Sequence, residues 1–111
     1  MSSKSYFING IPEMLVLRLL SQQEMYGYQL VSAIRDRSAE TFHFGEGCLY
    51  PILHRLDGMG HLTSRREVVD GRPRYYYKTS GKGRKYLNQL TQEWTQVVRG
   101  TQAILEESYV I

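Results

Sequence analysis

Apolar residues recur at helical spacing in the first half of the chain, where three helices are predicted. The segment 12–22 is apolar on most sides, which favours a central buried helix. Pro12 suits a first helical turn, because its missing N–H would have no partner there. The segments 26–37 and 46–57 each carry one apolar stripe, typical of helices that bury a single face: Leu30, Val31 and Ile34, and Leu49, Ile52, Leu53 and Leu56.

The third predicted helix contains a proline, which restricts where it can begin. Pro51 lacks an N–H and crowds the preceding turn, so it is tolerated only in the first turns of a helix. We therefore expect the helix to start near Gly47. Gly58 and Gly60 are expected to end it, because glycine readily adopts the conformation that closes a helix.

Two strands are predicted after the third helix, over 62–69 and 74–79. Between them the sequence Asp-Gly-Arg-Pro at 70–73 is typical of a turn. Side chains alternate along a strand, so the tyrosines at 75 and 77 are expected on one face and Tyr76 on the other. The pattern predicts a hairpin.

The last predicted element is a long helix that starts after Ser80 as N-cap and continues to about residue 108. At about 1.5 Å per residue it would be about 40 Å long, which exceeds what a small domain needs. An apolar stripe on a helix that extends beyond its own domain favours pairing with the same helix of a second chain. An alternative is packing on the chain's own first helix. The expected dimer residues are Leu87, Leu90, Trp94, Val97, Val98, Thr101 and Leu105.

Positive charge is concentrated in one quarter of the chain. The 111 residues carry a net charge of +3, and residues 61–86 hold eight of the 14 Lys and Arg residues but only two of the 11 acidic ones. A local excess of this kind indicates a polyanionic partner. A solvated basic surface is the simpler alternative.

The order of three helices, a hairpin and a long helix predicts a winged helix-turn-helix. The fold class is α+β, mainly α, with a two-stranded wing and a long C-terminal dimerisation helix. We expect residues 1–80 to form the DNA-binding domain and residues 81–111 the dimerisation helix, packed as one compact unit.

Double-stranded DNA is the expected partner, read by the outer face of the third helix and by the hairpin. A helix fits the major groove, and arginines of a wing suit the phosphates or the minor groove. The expected DNA contacts are Cys48, Tyr50, His54, Arg55, Arg65, Arg66, Arg72, Arg74 and Lys78.

Several classes of protein are disfavoured by composition. Cys48 is the single cysteine, so no disulfide can form within the chain, and the three histidines lack metal-ligand spacing. No nucleophile motif or phosphate-binding loop occurs, so an enzyme is not expected, nor a cofactor. No apolar stretch is long enough for a membrane span, and residues 1–9 lack a signal-peptide apolar region. We expect a cytoplasmic protein.

Four motifs in order resemble the PadR family of transcriptional regulators. They are Tyr-Gly-Tyr-Gln-Leu at 26–30, Glu-Gly-Cys-Leu-Tyr-Pro-Ile-Leu-His-Arg-Leu at 46–56, Gly-His-Leu at 60–62 and Gly-Arg-Pro-Arg-Tyr-Tyr-Tyr at 71–77. The resemblance covers about residues 11 to 105. It implies a winged-helix homodimer bound to palindromic promoter DNA, usually as a repressor, of the branch with a single C-terminal helix.

The resemblance also implies roles for single residues. Tyr50 would be the family's tyrosine of the third helix, and Arg72 and Arg74 the wing contacts. Cys48 stands where a small hydroxyl residue is usual, so a hydrogen bond assigned to that position does not transfer. Some short members bind flat aromatic drugs against a tryptophan of the last helix, and Trp94 lies in the matching region. The short branch includes Pex, a regulator associated with the cyanobacterial circadian clock.

Two alternatives to a simple DNA-binding repressor are left open. One is a winged-helix module that binds proteins and never nucleic acid, against which the basic hairpin argues. The other is a drug-responsive repressor with an aromatic effector at Trp94, where the simpler alternative is a tryptophan that only packs the dimer.

Overall fold

The computed structural model describes residues 10–107, which form four helices and a three-stranded sheet. Residues 1–9 and 108–111, and with them the predicted end of the last helix near residue 108, lie outside the described residues. The elements in chain order are α1 (Ile11–Gln22), β1 (Met25–Tyr26), α2 (Gly27–Arg37), α3 (Glu46–Gly58), β2 (Leu62–Val69), β3 (Arg72–Thr79) and α4 (Gly81–Leu105).

Helix α1 is the central helix of the core, as its apolar sequence predicts. Val16 and Leu17 are completely buried, and they pack in one cluster with the stripes of α2 and α3. The Thr79 hydroxyl at the end of β3 donates a 2.8 Å hydrogen bond to the Leu17 carbonyl oxygen, and Thr79 is itself buried. The hairpin is therefore anchored to the central helix through a satisfied polar group.

The sheet has the order β1-β3-β2 and contains a strand that the sequence did not predict. Met25 pairs with Tyr77 and Tyr26 with Tyr76. Two residues are too few to show the alternation that identifies strands. Tyr26, predicted as the first residue of the second helix, is instead its N-cap with an extended backbone, and the Gln29 side chain accepts a hydrogen bond from its N–H at 3.2 Å.

The hairpin turn is shorter than the sequence predicted. Asp70 and Gly71 alone form it, with φ of 52° and 76°, the backbone of a type I′ turn that suits the twist of two antiparallel strands. Strand β3 begins at Arg72 and not at residue 74. Pro73 is tolerated because it faces Val68 in the pair after the turn, where its missing N–H would point away from β2.

Helix α3 begins at Glu46, close to the predicted start near Gly47, and it tolerates Pro51 as its sixth residue on the exposed side. It ends through Gly60, whose φ is 81°. The His61 N–H bonds the Leu56 carbonyl at 2.9 Å and the Gly60 N–H bonds the Asp57 carbonyl at 3.0 Å, which closes the helix in a Schellman motif.

Helix α4 begins at the predicted cap and packs on the domain only over its first turns. The Ser80 hydroxyl accepts the Gly83 N–H at 3.0 Å. Leu87 is buried, and Leu90 packs against the same core. Beyond Leu90 no residue of the chain up to 107 is buried. The helix therefore leaves its own domain about half way along its length.

Candidate nucleic-acid interface

An open groove of about 800 Å³ lies between α3 and the tip of the hairpin. Its floor is the start of α2, at Tyr26 to Tyr28. Four of the sequence-predicted DNA contacts line it together: Tyr50 and His54 from α3, and Arg72 and Arg74 from β3. The third helix and the hairpin thus form the two walls of one site.

The α3 wall is aromatic. Tyr50 and His54 are one helical turn apart and stack with ring centroids 6.2 Å apart. The Tyr50 ring also lies against the backbone of Gly27, where a Cβ atom would be 2.9 Å from the Tyr50 hydroxyl oxygen. The absence of a side chain at position 27 lets the tyrosine of α3 rest on the first turn of α2.

Two of the residues predicted on α3 lie away from the groove. Cys48 and Arg55 are seven apart, hence on the same side of the helix, and neither lines the groove. An Arg55 Nη2 atom is 3.5 Å from a Glu13 carboxylate oxygen of α1. Glu13 also accepts a hydrogen bond from Tyr86 of α4. The pKa of Tyr86 is raised, chiefly by burial and further by the charge of Glu13. Arg55 therefore belongs to a contact between helices.

Alternation along the strands divides the basic hairpin between two faces. Arg65 is opposite Tyr76 and Thr63 opposite Lys78, which places Arg65, Arg74 and Lys78 on the Tyr76 face. Arg66 is opposite Tyr75 and shares the face of Tyr75 and Tyr77. The sequence predicted one basic strip, and the sheet separates Arg66 from it by placing that residue on the opposite face.

Arg65 is engaged by neighbouring side chains. Its Nε lies 3.0 Å from both carboxylate oxygens of Glu24, and its Nη2 lies 2.7 Å from Oε1. The hydrogen bonds from Arg65 are the main cause that lowers the pKa of Glu24. The guanidinium carbon also lies 4.4 Å from the centre of the Tyr76 ring. The structure thus ties Arg65 to the segment before β1.

Arg74 lies on an aromatic support. Its guanidinium carbon is 4.1 Å from the centre of the Tyr26 ring, and the Tyr26 and Tyr76 rings meet edge to face at 5.4 Å. A hydrogen bond with Tyr76 is the main cause that raises the pKa of Arg74. Glu24 and Tyr26 were missed by the sequence reasoning, because their partners are about 40 and 50 residues away along the chain.

Two further cations of the basic segment bind backbone carbonyls. The Lys82 ammonium donates to the Met59 carbonyl oxygen at 2.7 Å, and an Arg84 Nη2 donates to the Ser21 carbonyl oxygen at 3.0 Å. Both carbonyls lie at or just before helix ends, where cations are favourable. Part of the positive charge at 61–86 therefore holds α4 on the domain.

The predicted dimer residues fall into two groups. Leu87 and Leu90 belong to the core of the same chain, as in the alternative of packing on the first helix. On the outer half of α4, Trp94 is 43% exposed and Val97 is 61% exposed, while Val98 is half-buried. Thr101, Ile104 and Leu105 are exposed as well.

Between residues 10 and 107, no three His, Cys, Asp or Glu side chains are grouped so that they could hold a metal ion. Within the same range, no helix is both long enough and apolar enough to cross a membrane.

Residues 16–89 match the model of the PadR-like family of transcriptional regulators. The match runs from α1 through the groove and the hairpin into the first turns of α4. The chain belongs to the PadR-like family. Like the other members, it is a DNA-binding transcriptional regulator.

Solved structures agree with this family in fold. This PadR-like chain superimposes on a transcriptional regulator from Clostridium thermocellum with a TM-score of 0.84 at 27% identity, covering 96% of this chain and 99% of that one. For a PadR family regulator from Eggerthella lenta the TM-score is 0.82 at 30% identity, and the match covers 93% of this chain and 88% of that one. The winged helix-turn-helix with a long last helix is confirmed.

A relative by sequence is a transcriptional regulator of Mycobacterium tuberculosis, 35% identical over 74 residues, which are 67% of this chain and 66% of that one. An uncharacterised protein of Lysinibacillus sphaericus is 32% identical over 95 residues, which are 85% and 87% of the two chains.

Proposed function

We propose that this PadR-like regulator acts in the cytoplasm as a repressor that binds a palindromic promoter site as a homodimer. The observation that carries the proposal is the groove with walls from α3 and the hairpin, where Tyr50, His54, Arg72 and Arg74 converge. Such a site suits a helix in the major groove beside a wing on the adjacent backbone. A dimer seated inside a promoter would block access of the polymerase.

The outer half of α4 supports the homodimer. Trp94, Val97 and Ile104 follow one another at spacings of three and seven, so they lie along one stripe of the helix, and each is at least 43% exposed. Exposed apolar stripes of this length are typical of protein interfaces. Pairing of two copies about a two-fold axis would cover both stripes and present two readers to the two halves of a palindrome.

Selection of bound duplexes from a random DNA pool tests the proposal directly. We expect an inverted repeat whose half-sites are about one helical turn apart or a multiple of it. In transcription in vitro, a promoter that carries the selected site should lose output when the protein is added. No enrichment of any duplex would contradict DNA binding. A selected site with a single half-site would contradict the palindrome, and increased output would contradict repression.

A matched pair of variants tests the homodimer. Val97→Glu places a charge on the exposed stripe, and Gln96→Glu places the same charge beside it on the exposed helix surface. We expect Val97→Glu to be monomeric in sedimentation velocity with an unchanged circular dichroism spectrum, and Gln96→Glu to remain dimeric. If the two variants dimerise equally, the proposal that Val97 lies in the dimer interface is contradicted.

An aromatic effector is a second candidate function, supported by the exposed indole of Trp94 on the half of α4 that leaves the domain. A planar aromatic ligand could stack on that ring. Titration of flat aromatic compounds should then quench Trp94 fluorescence and weaken DNA binding in parallel. If no compound changes the tryptophan emission, Trp94 would have only a packing role.

A further inference from the structure

Tyr86 of α4 contacts two residues that are each bonded to α3, the helix that forms one wall of the groove. The Tyr86 side chain is half-buried and lies in the first turns of α4, eight residues before Trp94. Its ring stacks on the ring of His61, and its hydroxyl donates a hydrogen bond to Glu13 of α1. Two connections between α4 and α3 therefore meet at one side chain.

The first connection runs through Glu13. An Nη2 atom of Arg55 lies 3.5 Å from a Glu13 carboxylate oxygen, and the Glu13 side chain is 15% exposed. Burial and the charge of Glu13 raise the pKa of Tyr86, so its hydroxyl keeps its proton and stays a donor. A carboxylate with little access to water depends on its donors, because removing one leaves a poorly solvated charge. Glu13 thus holds Arg55 of α3 and Tyr86 of α4 at one point of α1.

The second connection runs through His61, which lies between the end of α3 and β2. Its N–H donates to the carbonyl oxygen of Leu56 in the last turns of α3, at 2.9 Å. His61 is buried, and its ring is nearly parallel to that of Tyr86, with centroids 4.5 Å apart. Between residues 10 and 107 its Nδ1 atom has no hydrogen-bond partner, so the ring is oriented by packing against Tyr86 and not by a polar contact of that atom. Tyr86 therefore contacts the residue that closes α3.

Both connections reach the C-terminal half of α3, next to the side that lines the groove. His54 lines the groove, and the next residue, Arg55, is the one paired with Glu13. In the other half of the helix, Tyr50 rests on Gly27 of α2. A displacement at the Arg55 end would therefore change the direction of α3 about its contact with α2. Shifts of about 1–2 Å between packed helices are a common means by which one site alters another.

We propose that Tyr86 is a positioning residue for DNA binding: through Glu13 and His61 it couples the position of α3 to that of α4 in the same chain. Occupation of the groove by DNA would then move α4, and a displacement of α4 would alter the affinity for DNA, since coupling between binding free energies is reciprocal. The inference rests on DNA binding in the groove and adds its link to the helix that leaves the domain. In the described part of the chain the groove is lined without any residue of α4, so a response of the outer half of α4 to DNA would have to be transmitted through the domain.

The emission of Trp94 tests the coupling, because it is the only tryptophan of the chain and lies about 12 Å along α4 from Tyr86. In the full-length protein, saturation with a selected DNA duplex should change the Trp94 emission. Tyr86→Phe keeps the ring on His61 but removes the donor to Glu13, so it should clearly reduce this change. Asn88→Ala is the matched control, an exposed position of the same helix, and should respond as wild type does. Sedimentation velocity and thermal melting check that all chains share one oligomeric state and keep the fold.

A double-mutant cycle on DNA affinity tests the connection through Glu13. Tyr86→Phe and Arg55→Gln should each weaken binding about threefold, and the double variant also about threefold, because both act through one carboxylate. Glu13→Gln removes the charge that holds Arg55 and should reduce the Trp94 response as Tyr86→Phe does, which provides a second variant of the same connection.

The outcomes separate this coupling from DNA binding itself. A ninefold loss in the double variant would show that Arg55 and Tyr86 act independently and would overturn the coupling. Wild-type protein that binds the duplex without a change in Trp94 emission, or an equal change in Tyr86→Phe and Asn88→Ala, would overturn it as well and leave the DNA-binding function standing. A wild-type chain that binds no duplex would overturn both.

Discussion

Gly27 and Tyr50 are in direct contact across the floor of the groove: a Cβ atom on Gly27 would lie 2.9 Å from the Tyr50 hydroxyl oxygen and 3.0 Å from Tyr50 Cε1. Gly27 is the first residue of α2, and Tyr50 projects from the exposed side of α3. The contact therefore fixes the position of a ring in the proposed DNA-binding groove, so that a residue of α2 positions a side chain of α3.

Substitution of Gly27 by alanine should displace the Tyr50 ring. We expect Gly27→Ala to weaken operator binding about fivefold, equivalent to about 1 kcal/mol, with little change in melting temperature because the end of a side chain can move aside. Gly81→Ala is the matched control, since Gly81 also begins a helix and a Cβ there meets nothing within 4 Å. Equal DNA affinities of the two variants would contradict a role for the contact.

Gly83 is packed against backbone, so its substitution should act on stability. A Cβ at this position would overlap the His61 carbonyl oxygen and lie 2.9 Å from the methyl group of Thr79. Backbone cannot move aside as a side chain does, so Gly83→Ala should lower the free energy of unfolding by about 2 to 3 kcal/mol in urea denaturation. The nearby Gly81→Ala should be neutral or slightly stabilising. The same stability for both would show that α4 is not held through Gly83.

The wing arginines should differ in their contribution to the salt dependence of DNA binding. Arg72→Ala and Arg74→Ala should each reduce the slope of log affinity against log salt by about one, because each would remove the one phosphate contact proposed for that arginine. Arg65→Ala should change the slope by clearly less, since Arg65 is bound to Glu24 in the chain. An equal change for all three would show that the pairing of Arg65 with Glu24 does not keep Arg65 from DNA. A binding curve that does not vary with salt would favour the protein-binding alternative.

The Glu24–Arg65 pair should give the stability a dependence on acid pH. Hydrogen bonds from Arg65 hold the pKa of Glu24 below its ordinary value of 4.5. A carboxyl group with a lowered folded-state pKa stabilises the fold above its unfolded value, and this contribution is lost as the pH falls through the folded value. The melting temperature of wild type should therefore approach that of Glu24→Gln between about pH 6 and about pH 3. A constant difference between the two would contradict the pair's contribution.

The helices and the hairpin follow from local sequence to a large extent. Apolar spacing placed α1, α2 and α3 within one or two residues, and Ser80 is the N-cap of α4 as predicted. These features depend on contacts within one or two turns, so nearby residues are enough to indicate them. The short strand β1 was missed because its only signal is its pairing with Tyr76 and Tyr77 of β3.

What the sequence by itself determined is the order of elements, the winged-helix class and four of the residues that meet in the groove, Tyr50, His54, Arg72 and Arg74. Only the tertiary structure decided which charges reach that groove: Arg65, Arg55 and Lys82 have partners on other elements, at Glu24, Glu13 and the Met59 carbonyl. Periodicity assigns a residue to a face of its own element, but the partner on that face comes from a distant part of the chain. The electrostatics of the site is therefore a property of packing, because a charge acts on whatever lies within a few ångströms of it.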